Sequence, residues 1–183
     1  KAGKAFITAD WSSQEVGIGA YLSGDPNMKE VFQQAIVGGD VYMKFAELAG
    51  LVPEGAKRAD YELLRSRAKT TFLAANYGAG AETIANRLGT SKNEASRLLQ
   101  KYREVFGKYL EWTQQISDYA FQLGELETLL GWKRQITKDP SRHNELPNAR
   151  SVINVPVQGN GAEVMRVAAI IAHDNGLKLI GTG

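Results

Sequence analysis

The segment "RSRAKTTFLAANYG", residues 65–78, decides how the rest of the sequence is interpreted. It belongs to the longest helical pattern in the first half of the chain, which predicts a helix over residues 60–77. Four of its side chains recur at intervals of four, a step that turns about 40° around an α-helix; they are Arg65, Lys69, Leu73 and Tyr77. Two cations one turn apart repel each other slightly, and a polyphosphate in front of them would stabilise the pair. An aromatic side chain further along the same stripe could stack on a base.

The spacing by itself also fits a less specific arrangement. In that alternative Arg65 and Lys69 form a solvated face, while Leu73 and Tyr77 belong to the core. Arg67 lies away from the stripe and is expected to face solvent.

Composition restricts the classes of function. The chain has 183 residues, 43% hydrophobic content and a net charge of +2, which is typical of a globular domain. It has no cysteine and two histidines, His143 and His173, so cysteine-bound zinc and histidine-rich metal sites are excluded. Any metal must therefore be held by oxygen atoms, as magnesium and manganese are. No apolar run approaches the roughly 20 residues needed to cross a bilayer, so no membrane association is expected.

The order of the predicted elements favours an α+β fold that is mostly helical. A strand over residues 5–9 delivers Asp10 to its end, and several helices follow, with Asp40 as an N-cap and Ser91 with Glu94 as a capping box. Two short strands flank a turn at Gly131. The next segment is expected to be helical on both sides of a break near residues 156–159, and a last strand begins with residues 177–180.

Two further segments carry chemistry. "ITADWSSQEVG" places Asp10 where a strand ends, with Glu15 at the start of a helix; carboxylates there often bind metals, although a helix cap is the commoner role. "RSVINVPVQGNGAEVM" places Arg150, Asn154 and Gln158 at intervals of four, which suits contacts to a template or primer strand. A polar outer face of a helix is the alternative for these three residues.

Five segments resemble the motifs of family A DNA polymerases, the DNA polymerase I type, and they follow each other along the chain in the order of that family. "DWSSQE" (10–15) is similar to motif A, and residues 65–78 are similar to motif B, Arg-x3-Lys-x3-Phe/Tyr-Gly-x2-Tyr-Gly. The other three segments are "YLSGDPNMKEVF" (21–32), "TLLGWKRQI" (128–136) and "RSVINVPVQGNGAE" (150–163). Each motif alone is weak, but the five in order are specific.

The resemblance implies the palm and fingers portion of a right-hand polymerase, without the thumb and the motif C hairpin. Residues 1–50 would hold part of the palm with motif A and the start of the fingers. Residues 51–123 would form the fingers with the motif B helix. Residues 124–183 would return to the palm with the hairpin and the template-contacting helix, ending before motif C.

The resemblance also implies template-directed transfer of a nucleotide from a dNTP to a primer 3′-hydroxyl, with two magnesium ions (manganese as an alternative). Asp10 would hold both metal ions, and the Trp11 carbonyl would add one oxygen. Lys69 would contact the triphosphate and is a candidate proton donor to pyrophosphate. The other implied nucleotide contacts are Trp11, Glu15, Tyr42, Arg65, Leu73 and Tyr77, of which Glu15 partners Tyr77 and blocks a ribose 2′-hydroxyl. The implied DNA contacts are Lys133, Arg134, Arg150, Asn154 and Gln158.

Several positions depart from the family pattern. Leu73 and Ala74 stand where an aromatic residue and glycine are usual, which leaves sugar selectivity open. Tyr42 replaces a histidine near the β- and γ-phosphates, where its hydroxyl could donate a hydrogen bond but not a full charge. Trp11 replaces tyrosine. These departures favour a phage-type or organelle-type relative, acting in the cytoplasm or nucleoid of a bacterium or infected host, or in an organelle.

The aspartate of motif C has no counterpart in this sequence. One carboxylate does not hold two magnesium ions, so the 183-residue chain is expected not to polymerise by itself. Its expected partners are primer–template DNA, dNTP and the rest of a polymerase, including thumb, motif C and an exonuclease domain. Two alternatives remain at this stage: a nucleic-acid-binding module without catalysis, and an inert helical scaffold.

Overall fold

The computed structural model describes residue 8, residues 10–138 and residues 147–177. Two predicted features fall largely outside this part: the strand over residues 5–9 and the last strand, which begins with residues 177–180. Their predictions are therefore not tested here.

The described residues are mostly helical, which confirms the predicted α+β class with a helical excess. The bounds of the elements are α1 Gln14–Ser23, α2 Pro26–Ile36, α3 Val41–Leu48, α4 Glu62–Asn76, α5 Ala81–Leu88, α6 Lys92–Val105, α7 Gly107–Leu123, β1 Glu125–Glu127, β2 Lys133–Gln135, α8 Ala149–Ile153 and α9 Val155–Asp174. A short 3-10 helix at Arg58–Asp60 lies just before α4.

Local side-chain chemistry explains where several helices begin. Asp40 caps α3, as predicted, because its carboxylate accepts from the N–H groups of Tyr42 (3.0 Å) and Met43 (3.2 Å). Ser91 caps α6 by accepting from the N–H of Glu94 at 3.2 Å. The capping box is only half formed, since the Glu94 carboxylate binds Thr90 and Arg67.

The main core is formed by residues of the segment from α1 to α7 and is built around four aromatic rings. Phe45, Phe72, Tyr102 and Phe106 are almost fully buried, and their ring centroids lie 5.0–5.9 Å apart. Most of these pairs are tilted or edge-to-face, the arrangement that aromatic quadrupoles favour. Because Phe72 lies on α4, this cluster fixes the motif B helix against α3 and α6.

A second, smaller core lies beneath the hairpin. Strands β1 and β2 pair antiparallel, with Leu126 opposite Arg134. The buried side chains under them come from α7, the hairpin and the last two helices; they are Ala120, Leu126, Ile136, Val152 and Val155. This cluster attaches α8 and α9 to the hairpin.

Two sequence predictions are wrong. The break in the last helical segment falls at Asn154, because Pro156 fits the first turn of α9 and Gly159 lies inside that helix. Arg67 does not face solvent: its side chain is one-third exposed and forms an ion pair with Glu94. The periodicity of α4 by itself does not show that α6 packs against the side that carries Arg67.

Among the described residues, no helix combines the length and the apolar composition that crossing a bilayer requires.

Candidate nucleotide and nucleic-acid site

The C-terminal end of α4 joins three segments that are distant in the sequence. Tyr77, its C-cap residue, donates its hydroxyl to the Glu15 carboxylate, with oxygen–oxygen distances of 2.6 and 2.7 Å. Burial and the hydrogen bond to Glu15 raise the pKa of Tyr77, while Gln158 acts in the opposite direction. The structure therefore shows the predicted pairing of Glu15 with Tyr77, and it brings Gln158 to the same place.

Arg150 covers the glycine that follows this helix. Gly78 has a φ of +71°, which favours glycine, and a Cβ there would lie 3.1 Å from Cγ of Arg150. Arg150 is otherwise exposed on α8. The side chain of Arg150 therefore lies beside the residue that follows the C-cap of α4, and Asn154 lies at the junction of α8 and α9 that leads to Gln158.

The first turns of α4 carry the two predicted cations, and one of them already has a protein partner. Arg65 donates its Nε–H to the Asp40 carboxylate at 2.8 Å, and its side chain is only 15% exposed. Burial raises the pKa of Asp40, but the hydrogen bonds from Arg65 and from two backbone N–H groups outweigh it and lower that pKa. The fold itself thus relieves part of the cation repulsion, so the repulsion alone does not require a bound anion.

Lys69 lies one turn further along and is exposed. Its Nζ lies 5.5 Å from the centroid of the Tyr42 ring, and the guanidinium carbon of Arg65 lies 5.1 Å from the same centroid. Leu73, the next residue of the stripe, is half-buried. The stripe therefore runs from the two cations past half-buried Leu73 to the exposed Tyr77.

Residues of α9 that sequence reasoning did not select hold the hairpin turn. Glu163 is buried and accepts from the hydroxyl of Thr128 at 2.7 Å and from the N–H groups of Leu130 and Trp132 at 3.3 Å. Asn160 accepts from the N–H of Leu129 at 2.9 Å. Both residues belong to the "GNGAE" end of one motif, and the hairpin turn belongs to another motif. The presence of both motifs in one sequence was the signal that could have indicated this contact.

The two basic residues of β2 have partners within the protein. Lys133 lies 2.9 Å from Glu125 and 3.4 Å from Glu127, and Arg134 donates to the Ser151 carbonyl at 3.1 Å. Side-chain hydrogen bonds and charge interactions with the two carboxylates raise the pKa of Lys133. Contacts of Lys133 and Arg134 with DNA stay predictions.

Asp10 and Trp11 are exposed and precede α1. No group of three or more Asp, Glu, His or Cys side chains suited to a metal occurs within the described residues. The described residues therefore hold no complete magnesium site, and the assignment of Asp10 and the Trp11 carbonyl as metal ligands stays a prediction. That Asp10 and the cations of α4 share one pocket stays a prediction.

The fold and the site together define a class of protein. The structure resembles the POL domain of Pol1 from M. smegmatis in complex with DNA primer-template and dNTP, with a TM-score of 0.73 and 28% identity over 92% of this chain and 30% of that chain. The fold is thus that of a portion of a DNA polymerase I polymerase domain. A model of DNA polymerase family A matches residues 1–179. The chain belongs to DNA polymerase family A.

Sequence relatives agree with this assignment. The thermostable DNA polymerase I of Thermus thermophilus is 31% identical over 173 residues, which is 93% of this chain. DNA polymerase I of Chloroflexus aurantiacus is 30% identical over 174 residues, and that of Mycobacterium tuberculosis is 30% identical over 166 residues. The chain spans 18–20% of the length of these curated relatives.

Proposed function

We propose that this chain supplies the nucleotide-binding helix and a template-contacting helix of a polymerase that carries out template-directed DNA synthesis. The observation that carries the proposal is the arrangement along α4. Cations lie at its start, and the Tyr77–Glu15 pair lies at its end beside Gln158. The distance along the helix axis from Arg65 to Tyr77 is about 18 Å, so phosphates and base of one extended ligand could use different parts of the helix.

Each of these residues has a role that its chemistry allows. Lys69 and the Nη groups of Arg65 bind the triphosphate, and Lys69 donates a proton to the leaving pyrophosphate. Glu15 is held by Tyr77 and occupies space that a ribose 2′-hydroxyl would need. Bound magnesium, held in part by Asp10, would neutralise charge on the phosphate oxygens.

The DNA side of the proposal involves the hairpin and the last two helices. Arg150 and Gln158 both reach the end of α4, and Asn154 lies between them; all three carry side chains that hydrogen-bond to bases or phosphates. Lys133 and Arg134 contact the duplex backbone. The similar M. smegmatis structure is described with primer-template DNA and dNTP, which supports both ligands as the partners of this chain.

We propose that catalysis requires the remaining parts of a polymerase, and that these act in the cytoplasm or nucleoid of a bacterium or phage-infected cell, or in an organelle. Asp10 alone supplies too few oxygen ligands for two magnesium ions. The 183-residue chain should therefore not extend a primer with magnesium and dNTPs. Robust extension by the chain alone would show that the metal site is assigned wrongly.

Nucleotide binding is the direct test. Binding of a fluorescent dNTP to the 183-residue protein should weaken about tenfold or more in Lys69→Ala, because a charge-assisted hydrogen bond to phosphate is lost. Lys29→Ala removes an exposed lysine of α2 and is the matched control. Equal affinity of the two variants would contradict the assignment of Lys69.

A second test separates a polymerase from a DNA-binding module. In a polypeptide that carries this sequence together with the other polymerase parts, Asp10→Asn should lower primer extension about a thousandfold and leave DNA binding intact, since it removes a metal ligand. The non-catalytic module would be favoured if the affinity for primed DNA does not depend on magnesium or dNTP and the parent polypeptide does not extend the primer.

A further inference from the structure

The first turn of α3 presents two side chains to the cations of α4. Asp40 binds Arg65 through its Oδ2 at 2.8 Å while its Oδ1 caps α3. Tyr42, two residues later, has its ring beneath both Arg65 and Lys69 at 5.1 and 5.5 Å. Both distances are within the roughly 6 Å over which an aromatic ring attracts a cation.

The ring of Tyr42 also packs against the core. Phe72 of α4 packs edge-on against it, with a centroid distance of 6.0 Å and an interplanar angle of 75°. Phe72 is itself fully buried in the aromatic cluster. The Tyr42 ring therefore packs against the buried aromatic cluster through Phe72, while Arg65 and Lys69 lie over the same ring.

The two cations differ in how they are held. Arg65 has a carboxylate partner as well as the ring, whereas the described residues provide no carboxylate within salt-bridge distance of Lys69. The ring is thus the contact that Arg65 and Lys69 share. A neutral ring can hold two like charges without cancelling the charge that a phosphate would recognise, which a second carboxylate could not do.

The hydroxyl of Tyr42 contributes no charge to this arrangement. Burial is the main cause that raises the pKa of this hydroxyl, and the nearby Arg65 opposes the shift without reversing it. The group therefore stays protonated at neutral pH.

We propose that Tyr42 is a positioning residue that acts through its ring: it holds Arg65 and Lys69 side by side to receive the phosphates of a nucleoside triphosphate. Asp40 assists by engaging Nε of Arg65, which leaves the Nη groups for the ligand. The inference rests on the proposed function and differs from the sequence-based expectation that the Tyr42 hydroxyl donates to the phosphates.

Two variants of similar bulk separate the ring from the hydroxyl. Tyr42→Phe keeps the ring and should lose no more than about threefold in dNTP affinity. Tyr42→Met keeps apolar volume against Phe72 but has no aromatic face, and it should lose about tenfold, since two cation–ring contacts disappear. An equal loss in both variants, or no loss in Tyr42→Met, would overturn the inference.

A second measurement does not depend on nucleotide binding. In NMR spectra of the 183-residue protein, the terminal methylene signals of Lys69 and Arg65 should show an upfield ring-current shift that persists in Tyr42→Phe and vanishes in Tyr42→Met. Thermal unfolding of both variants checks that they are folded. If Tyr42→Met does not fold, Tyr42→Leu takes its place. Unchanged Lys69 signals in a folded variant without the aromatic ring would refute the placement of Lys69 over the ring of Tyr42.

The outcomes separate this inference from the proposed function. If the wild-type protein binds no dNTP, or Lys69→Ala binds as well as wild type, the proposed function fails and this inference fails with it. If Lys69→Ala loses binding while Tyr42→Met binds as well as Tyr42→Phe, only the role of the ring is wrong. In the polymerase that carries this chain, Tyr42→Met should raise KM for dNTP more than it lowers kcat if Tyr42 is a positioning residue.

Discussion

Removal of the Glu163 carboxylate should weaken the attachment of the hairpin turn to α9, which Asn160 also holds. This buried group accepts one short hydrogen bond, 2.7 Å from the Thr128 hydroxyl, and two longer ones at 3.3 Å from the N–H groups of Leu130 and Trp132. A hydrogen bond to a charged acceptor contributes about 1.5–3 kcal/mol, and the longer bonds contribute less. Trp132 N–H and the Thr128 hydroxyl can still bind each other at 3.0 Å, which limits the loss.

From these contacts we expect Glu163→Ala to lower the free energy of unfolding by about 3 kcal/mol. For a domain of this size, that loss corresponds to a fall in melting temperature of about 6–12 °C. Glu163→Gln keeps one acceptor oxygen at the same place and should lose only about 1 kcal/mol. Both values can be measured by urea denaturation of the 183-residue protein.

Amide hydrogen exchange locates the effect. Peptides covering residues 125–136 should exchange faster in Glu163→Ala, because the turn loses part of its attachment to α9, while peptides of α6 should change much less. Glu111→Ala removes an exposed carboxylate from α7 and is the matched control. If Glu163→Ala is as stable as Glu111→Ala and the hairpin keeps its protection, the role assigned to Glu163 is wrong.

Three further predictions concern stability. Burial raises the pKa of Tyr109 to about 12, above its ordinary value of 10.0. The stability that its protonated hydroxyl contributes is therefore complete below pH 10 and is lost as pH rises to about 12. We expect this group to lower the free energy of unfolding by about 3 kcal/mol over that range, and Tyr109→Phe to lack this part of the loss. Thr71 is buried on α4, and its hydroxyl has no hydrogen-bond partner among the described residues, so Thr71→Val should stabilise the protein by about 1 kcal/mol in urea denaturation. Ser13 has a φ of +53° directly before α1, and Ser13→Gly should stabilise by about 0.5 kcal/mol in the same assay.

Each of these has an outcome that contradicts it. An alkaline limb that is identical in Tyr109→Phe would show that this hydroxyl is not the group responsible. Thr71→Ser keeps the hydroxyl and removes a methyl group, so it should destabilise; a destabilised Thr71→Val would instead reveal a hydrogen-bond partner. Ser13→Val should cost more than about 1 kcal/mol, and a neutral effect would argue against the left-handed backbone at this position.

The sequence was sufficient for most of the helices and the hairpin among the described residues, and for the family. Helix starts depend on local groups such as Asp40 and Ser91, and the spacing of Arg65, Lys69 and Tyr77 depends only on helical geometry, so both could be predicted. The five motifs in order identified the family because each combines residue types at fixed distances along the chain. The pairing of Glu15 with Tyr77 came from the resemblance, and the structure shows that hydrogen bond.

Tertiary packing decided which partners these residues have. Arg67 meets Glu94, Arg65 meets Asp40, and Glu163 meets the turn at Thr128, over separations of 25–35 residues. Helical periodicity shows which side a residue occupies but not which element packs against that side. Charge repulsion between Arg65 and Lys69 therefore looked unrelieved in the sequence, whereas the fold places a carboxylate and the ring of Tyr42 beside them.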